Sequence, residues 1–374
     1  MTREPAGRRT ALVTGASSGI GRATALRLAG ARWDVALVSR SAEVLEEVAV
    51  ECRALGARAL VVPADLTDDA SVEHAFARVT GDLGQLDAVV HSAAALAYGR
   101  FEDVPADVFE AAIDTTLHGT VRVARVALRT FHGQSDHGSL VVVGSLLGKI
   151  ATPYMSSYVT AKWAVHGLVR TLQIEARSTP GISISLVSPG GVDTPVYRQA
   201  GTYLGVHGRP PPPVSTPERV AAAVVHAVDH PRHDRSVGVA NPFVVLGFRL
   251  LPAAFDRMVT PLMRLGGLGR DPVPATPGNV LHPSPGGEAV RGGWKHRSSR
   301  RNAAVSAESE EEARPHSRTE RVSRAVAAPV ATAWEMLADG WSSSSGALRS
   351  PHATVRSRLA ARPQTSTDER SGTT

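Results

Sequence analysis

Between residues 10 and 190 short apolar runs alternate with longer stretches whose apolar positions recur at helical spacing. The short runs are TALVT (10–14), DVALVSR (34–40), ARALVVPAD ending at Asp65, LDAVVHSAA, GSLVVVGS and ISISLVSPGG. The pattern predicts helices after the glycines at 15–21, over 42–55, from DLTDD onward, over 104–131 and over 153–178, where Pro180–Gly181 stops the last. The acidic first turn of DLTDD suits the helix macrodipole. A further helix is expected in STPERVAAAVVHAVDH, with Pro217 in its first turn. Strands alternating with helices of this length imply a parallel sheet covered on both faces. The predicted fold class is α/β, a doubly wound parallel sheet in three α/β/α layers.

Two stretches of this frame carry chemistry. In TGASSGIGRATALRLAGA the residues Gly15, Gly19 and Gly21 follow a strand and open an Ala/Leu-rich helix. In that context glycines permit a tight turn, let the backbone approach a pyrophosphate and let helix and strand pack closely. The helix N-terminus then offers free N–H groups to phosphates. The strand at 34–40 ends in Ser39–Arg40 with no carboxylate to accept a ribose 2′-hydroxyl. An arginine pairs with a 2′-phosphate, and Arg22 stands near enough in sequence to add to it. NADP is therefore the expected cofactor, with NAD left open.

The second stretch, 144–162, holds Ser145, Tyr158 and Lys162. Positions i and i+4 share a helix face, so Tyr158 and Lys162 point the same way. An ammonium beside a phenol favours the phenolate and lowers its pKa, making a general acid/base for a carbonyl/alcohol pair. Ser145, at the end of an apolar strand, is placed to hydrogen-bond the same substrate oxygen. Lysine is scarce here: only Lys149, Lys162 and Lys295 occur.

Composition narrows the setting. With 43% apolar residues, the 374-residue chain can bury a core of ordinary size. Cys52 is the single cysteine, so no intrachain disulfide forms, and a reducing compartment is expected. The polar start MTREPAGRRT shows no signal peptide, and no run of eighteen apolar residues predicts a membrane span. A cytoplasmic protein is expected, peripheral membrane association remaining open. Residues 1–289 carry 27 Lys+Arg against 26 Asp+Glu, whereas 290–374 carry 14 against 9. The basic character lies in the tail and gives the main domain no nucleic-acid footprint. No metal site is assigned.

TGASSGIG (14–21), DLTD (65–68), Ser145, YVTAK (158–162) and SPGGVDTP (188–195), in this order, resemble the short-chain dehydrogenase/reductase family over roughly residues 8–240. The resemblance implies a Rossmann-type fold and an enzyme acting on CH–OH groups with NAD(P). It makes Tyr158 the proton donor, Lys162 the holder of the nicotinamide ribose, and Ser145 the residue steadying the substrate oxygen. It also implies that Ser17, Ser18, Ile20, Ser92 and Ala93 join the glycines in binding cofactor. Asp65 and Leu66 would flank the adenine, and Pro189, Gly190, Val192 and Thr194 would lie along the nicotinamide. Two positions depart from the family pattern: His91-Ser92-Ala93-Ala94 replaces Asn-Asn-Ala-Gly, and Thr116 stands where the family often has an Asn in a water relay to the lysine. A homo-oligomer is implied, with the helices at 104–131 and 153–178 as its interface.

Beyond the motifs, the Gly/Pro-rich 196–214 lacks periodicity and reads as a mobile flap over the substrate, or else a rigid connector. The stretch 242–268 is rich in Phe, Leu, Val and Met with three interspersed arginines. It is open to three readings: a hydrophobic pocket wall or core extension, a partner interface, or a membrane-surface contact. Residues 271–320 read as disordered linker. Residues 321–341 resemble the opening of a START-like lipid-binding domain cut short, with the rest to 374 a tail. The expected function is oxidoreduction of a small, apolar carbonyl or secondary alcohol. A binding-only NADP sensor or scaffold and a lipid-handling protein are the alternatives.

Overall fold

The computed structural model describes residues 8–294. β1 (Thr10–Thr14) leads through the glycine loop into α1 (Gly19–Gly30), then β2 (Asp34–Ser39), α2 (Ala42–Ala54), β3 (Ala59–Pro63), α3 (Asp69–Leu83) and β4 (Ala88–His91). Next come β5 (Ala97–Tyr98), α4 (Ala106–Ile113), α5 (Gly119–Gly133), β6 (Gly138–Val143), α6 (Ser156–Glu175) and β7 (Ile182–Pro189). The last part holds α7 (Val196–Gln199), β8 (Gly201–Thr202), β9 (Val206–Gly208), α8 (Pro217–Asp229), β10 (Arg235–Val237), α9 (Asn241–Leu250), α10 (Pro252–Leu262) and β11 (Leu268–Pro272).

Seven strands form one parallel sheet in the order β10-β7-β6-β4-β1-β2-β3. Thr10 pairs with Asp34 across β1–β2, and Thr14 with His91 across β1–β4. The chain winds outward from β1 to β3, then crosses back to β4. Between β1 and β4 the winding reverses, and the crevice at the C-terminal strand ends there is where such sheets bind ligands. Both faces are apolar because both are covered. On one, Leu28, Leu45, Val48, Val220 and Val224 pack against Val13, Val35 and Leu37. On the other, Phe76, Val79, Val123, Val165 and Val169 meet Leu12, Val38, Val89 and Leu140. Each such side chain contributes about 1.5–3 kcal/mol when fully buried. Helix starts follow their caps: Asp68 accepts from Ala70 N at 3.1 Å, and Thr216 caps α8 with Pro217 in the first turn.

Some features differ from the sequence expectations. The helix predicted over 104–131 is divided by a π turn at Asp114–His118. There Thr120 Oγ1 donates to Thr116 O at 2.6 Å, and such side-chain bonding competes with the regular ladder. The edge strand β10 was too short to read from pattern. The 196–214 stretch is no free flap: β8 pairs with β5, and β9 pairs with β11. Within the stretch read as linker, residues 271–294 complete β11 and then lie against the sheet's C-terminal crevice. The START-like reading of 321–341 falls outside the described residues. Among the described residues no helix is long and apolar enough to cross a membrane.

Candidate active site

The glycine loop is built by close backbone approach. Gly15 has φ +66°, and a Cβ there would lie 2.9 Å from Ala93 N. A Cβ on Gly21 would lie 2.1 Å from Gly15 O. β1, α1 and the loop after β4 thus close on one another only without side chains, leaving a cradle of backbone. Ala94 is not among the non-glycine residues with positive φ, so its departure from the family's glycine is accommodated in ordinary backbone.

His91, the other departure in that loop, is a buried bridge. Its Nδ1 lies 2.9 Å from Thr14 Oγ1 and its Nε2 2.9 Å from Thr120 Oγ1. Thr120 gives its proton to Thr116 O, while Thr14 Oγ1 accepts from Ser92 N. The proton therefore sits on Nε2, with Nδ1 accepting from Thr14. Burial, then the charge of Lys162, lowers the His91 pKa to about 3, so the ring stays neutral. This residue locks the loop rather than ionising.

One cavity of about 290 Å³ gathers nearly every residue singled out from sequence. Gly15, Ser17, Ser18, Gly19, Ile20, Arg40, Asp65, Leu66, Ser92 and Ala93 line one end; Ser145, Tyr158, Lys162, Pro189, Gly190, Val192 and Thr194 line the other. Gly21 lies behind the cradle. Arg22 differs from expectation: it is turned to α2, paired with Glu51. Thr116 is also turned away. Its Oγ1 accepts from Ala95 N and donates to Ala95 O, both at 3.0 Å, and its neighbour Thr115 faces the cavity instead. Thr116 fixes the chain after β4, and its hydroxyl is engaged there.

At the chemical end, α6 carries Tyr158 and Lys162 on one face as the spacing required. Lys162 Nζ donates to Val143 O at 2.9 Å and lies 5.6 Å from the Tyr158 ring centroid. Burial lowers the Lys162 pKa to about 8. Burial pushes the Tyr158 phenol up to about 12, opposed by its hydrogen bond with Ser145. Removing the phenol from water thus moves it in the direction opposite to the lowering expected from Lys162. Sequence reading missed His166, one turn beyond Lys162 on the same face. Ser145 N donates to His166 Nε2 at 3.4 Å, and burial lowers that imidazole to about 4, leaving it neutral to accept. The i, i+4, i+8 stripe Tyr158-Lys162-His166 was the available signal.

Beyond Tyr158 the cavity wall is largely apolar. Leu96, Tyr98, Met155 and Met263 are buried there, with Leu147, Tyr154 and Tyr197 packed against them. Met263 comes from the π turn after α10, held by Arg209, whose N donates to Gly267 O at 2.8 Å. Of the three readings of 242–268, the structure gives this one residue to the cavity wall. The outer faces of α9 and α10 stay exposed, with Leu250 at 67% and Met258 at 44%. Among the described residues no group of three or more His, Cys, Asp or Glu is placed to hold a metal ion.

The sequence and the fold both match known proteins. The short chain dehydrogenase family profile matches residues 9–203. The chain belongs to the short chain dehydrogenase family. An uncharacterized oxidoreductase of Bacillus subtilis, YxnA, is 32% identical over 67% of this chain and 71% of its own. The L-rhamnose 1-dehydrogenase (NAD(P)(+)) of a Sphingomonas strain is 32% identical over 54% of this chain and 84% of its own. Among solved structures, the alcohol dehydrogenase of the archaeon Thermococcus sibiricus complexed with 5-hydroxy-NADP is 28% identical, with TM-score 0.53 over 62% of this chain and 95% of its own. This short chain dehydrogenase is therefore an oxidoreductase acting on CH–OH groups with a nicotinamide dinucleotide.

Proposed function

We propose that this short chain dehydrogenase interconverts an apolar carbonyl compound and its secondary alcohol, with NADP favoured over NAD. One observation carries the reading: the half-buried Tyr158 phenol, bonded with Ser145, stands between Lys162 and a wall of Leu96, Leu147, Met155, Tyr197 and Met263. Such a wall fits an apolar substrate better than a sugar, unlike the rhamnose of the Sphingomonas relative's name.

The nicotinamide supplies or accepts the hydride. The chain's own residues do the rest. In reduction, the Ser145 hydroxyl donates to the carbonyl oxygen, and Tyr158 gives that oxygen its phenolic proton. Burial keeps the phenol protonated at neutral pH, the state a proton donor needs. Lys162 holds the ribose hydroxyls, and its charge stabilises the phenolate left behind. With a dinucleotide bound, Gly15 to Ile20 would cradle the pyrophosphate, Asp65 and Leu66 would flank the adenine, and Pro189 to Thr194 would bound the nicotinamide. NADP is supported by Ser17, Arg40 and Ser41 converging at the end of β2, where no carboxylate of the strand itself stands. It also accords with the NADP derivative of the Thermococcus structure. The exposed apolar faces of α9 and α10 support an association surface. Co-sedimentation with anionic vesicles beside a measurement of molecular mass distinguishes a membrane from a second copy.

The test is NADPH and NADH oxidation across ketones and aldehydes graded by size and polarity, with Tyr158→Phe alongside. Turnover should rise with substrate hydrophobicity and fall by about 10²–10⁴ in the variant, while NADPH affinity stays nearly constant. Equal turnover in the two proteins would refute the assignment.

A further inference from the structure

The segment 276–294 crosses the cofactor groove from end to end. It leaves β8 through paired bonds between Thr202 and Thr276, and Asn279 N donates to Gln199 O at 2.8 Å. Arg40, at the adenosine end, donates through Nη2 to Asn279 O at 2.8 Å. Over the glycine loop, Ala289 O accepts from Gly19 N at 2.8 Å and Ser18 Oγ at 3.2 Å. At the nicotinamide end, Trp294 N donates to Asp193 Oδ1 at 3.0 Å and its Nε1 to Thr194 O at 3.3 Å. A carbonyl oxygen thus takes a helix N-terminal N–H that a phosphate would use.

Glu288 enters at the same level. Its Oε1 accepts from Ser41 Oγ at 2.9 Å. Burial raises its pKa, opposed by the hydroxyls of Ser41 and Ser17 and by the charges of Arg40 and Arg22. One hydroxyl therefore bonds this carboxylate, its buried Oε2 has no hydrogen-bond partner, and Ser17 and Arg40 line the same part of the cavity, at the end of β2. The 2′ position of an adenosine ribose lies at that strand end in dinucleotide folds. A phosphate there needs the same donors, and a carboxylate left in place would repel it.

We propose that Glu288 occupies the 2′-phosphate subsite as an intramolecular anion, so that residue 288 sets how strongly the groove prefers NADP(H) over NAD(H). NADP(H) must displace the carboxylate before Ser17, Arg40 and Ser41 can take its phosphate. NAD(H) carries only a hydroxyl there, which Glu288 accepts from without moving. The strap as a whole shields the groove from either dinucleotide; Glu288 alone tells them apart.

The inference rests on the proposed cofactor reading, and the experiment separates the two. NADPH and NADH affinities are titrated by nucleotide fluorescence on the full chain as wild type, Glu288→Gln and Arg291→Ala. Glu288→Gln keeps the size and removes the charge. Its NADPH-to-NADH affinity ratio should rise by at least about tenfold. Arg291→Ala loosens the strap at its pair with Glu218, away from the 2′ subsite. It should strengthen both affinities by one factor and leave the ratio unmoved. An unchanged ratio in Glu288→Gln, or both affinities rising together, overturns the selectivity role while leaving the cofactor reading intact. Failure of all three proteins to bind either dinucleotide overturns both.

Discussion

The glycine loop and the strap that crosses it face each other over one groove and are held in opposite ways. The loop is made of backbone in van der Waals contact, between a strand whose five residues are all buried and a helix packed on the sheet. The strap is held mainly by part-buried hydrogen bonds. Its clearest apolar anchor is Val280, packed with Ala95, Ala97 and Val108. Segments with few buried apolar contacts open at low free energy, and cores do not. On the proposed reading, the loop would fix where a dinucleotide lies, and the strap would modulate how readily it arrives.

The largest effect should come from breaking the rigid side. Gly21→Ala sets a methyl 2.1 Å from Gly15 O, a backbone atom that cannot swing away. Overpacking of this kind costs about 1–3 kcal/mol or more, and the cradle must open to relieve it. Thermal unfolding should show a lower midpoint, and an NADPH titration should show binding lost. A Gly21→Ala protein that binds like wild type would remove the distinction between the two sides.

The next effect concerns the chemistry the rigid side positions. With Lys162 lowered to about 8 and Tyr158 raised to about 12, the phenol stays protonated across the working range. The lysine changes charge within it. Below about pH 8 Lys162 is cationic and supports the phenolate formed on proton transfer; above it, that support fades. Ketone reduction should hold steady to about pH 8 and then fall with a single ionisation. Lys162→Arg, which keeps its charge, should flatten the fall at some loss of rate. A wild-type profile level to pH 10 would mean that the charge of Lys162 is not what the phenol requires.

The same contrast explains what could be read from the chain. The strand–glycine–helix order and the Tyr158–Lys162 spacing are local patterns, repeated within a few residues and enforced by sheet and helix geometry. They led to residues that line one cavity. His166 extended that stripe and was legible in principle. The pKa of Tyr158 was not, because proximity to Lys162 can be read from spacing but desolvation depends on everything packed around the ring. Thr116 faces away from the cavity for a related reason: it lies in the π turn and its hydroxyl bonds Ala95, 21 positions earlier in the chain. The strap left no periodic trace at all. Its residues are Gly- and Pro-rich, and Glu288 meets Ser41 across 247 positions of sequence. The absence of an acid at the end of β2 was read correctly along the strand, yet the groove receives one from elsewhere.

The smallest effect tests the soft side where it is weakest. Arg291 Nε lies 2.9 Å from Glu218 Oε1, with side chains 56% and 45% exposed. Exposed pairs of this kind are worth about 0–1 kcal/mol, so Arg291→Ala should leave the unfolding midpoint nearly unchanged. Local opening is a different quantity. The strap has few apolar contacts in reserve, so a small loss there is a large fraction of what holds it, whereas the same loss spread over the core would vanish. Limited proteolysis should therefore cut faster within 281–294 in the variant, at an unaltered midpoint, and saturating NADPH should change the cutting rate in wild type and variant alike. Equal cutting rates in the two proteins would mean that the strap opens only with the core, and the two sides of the groove would then be one cooperative unit.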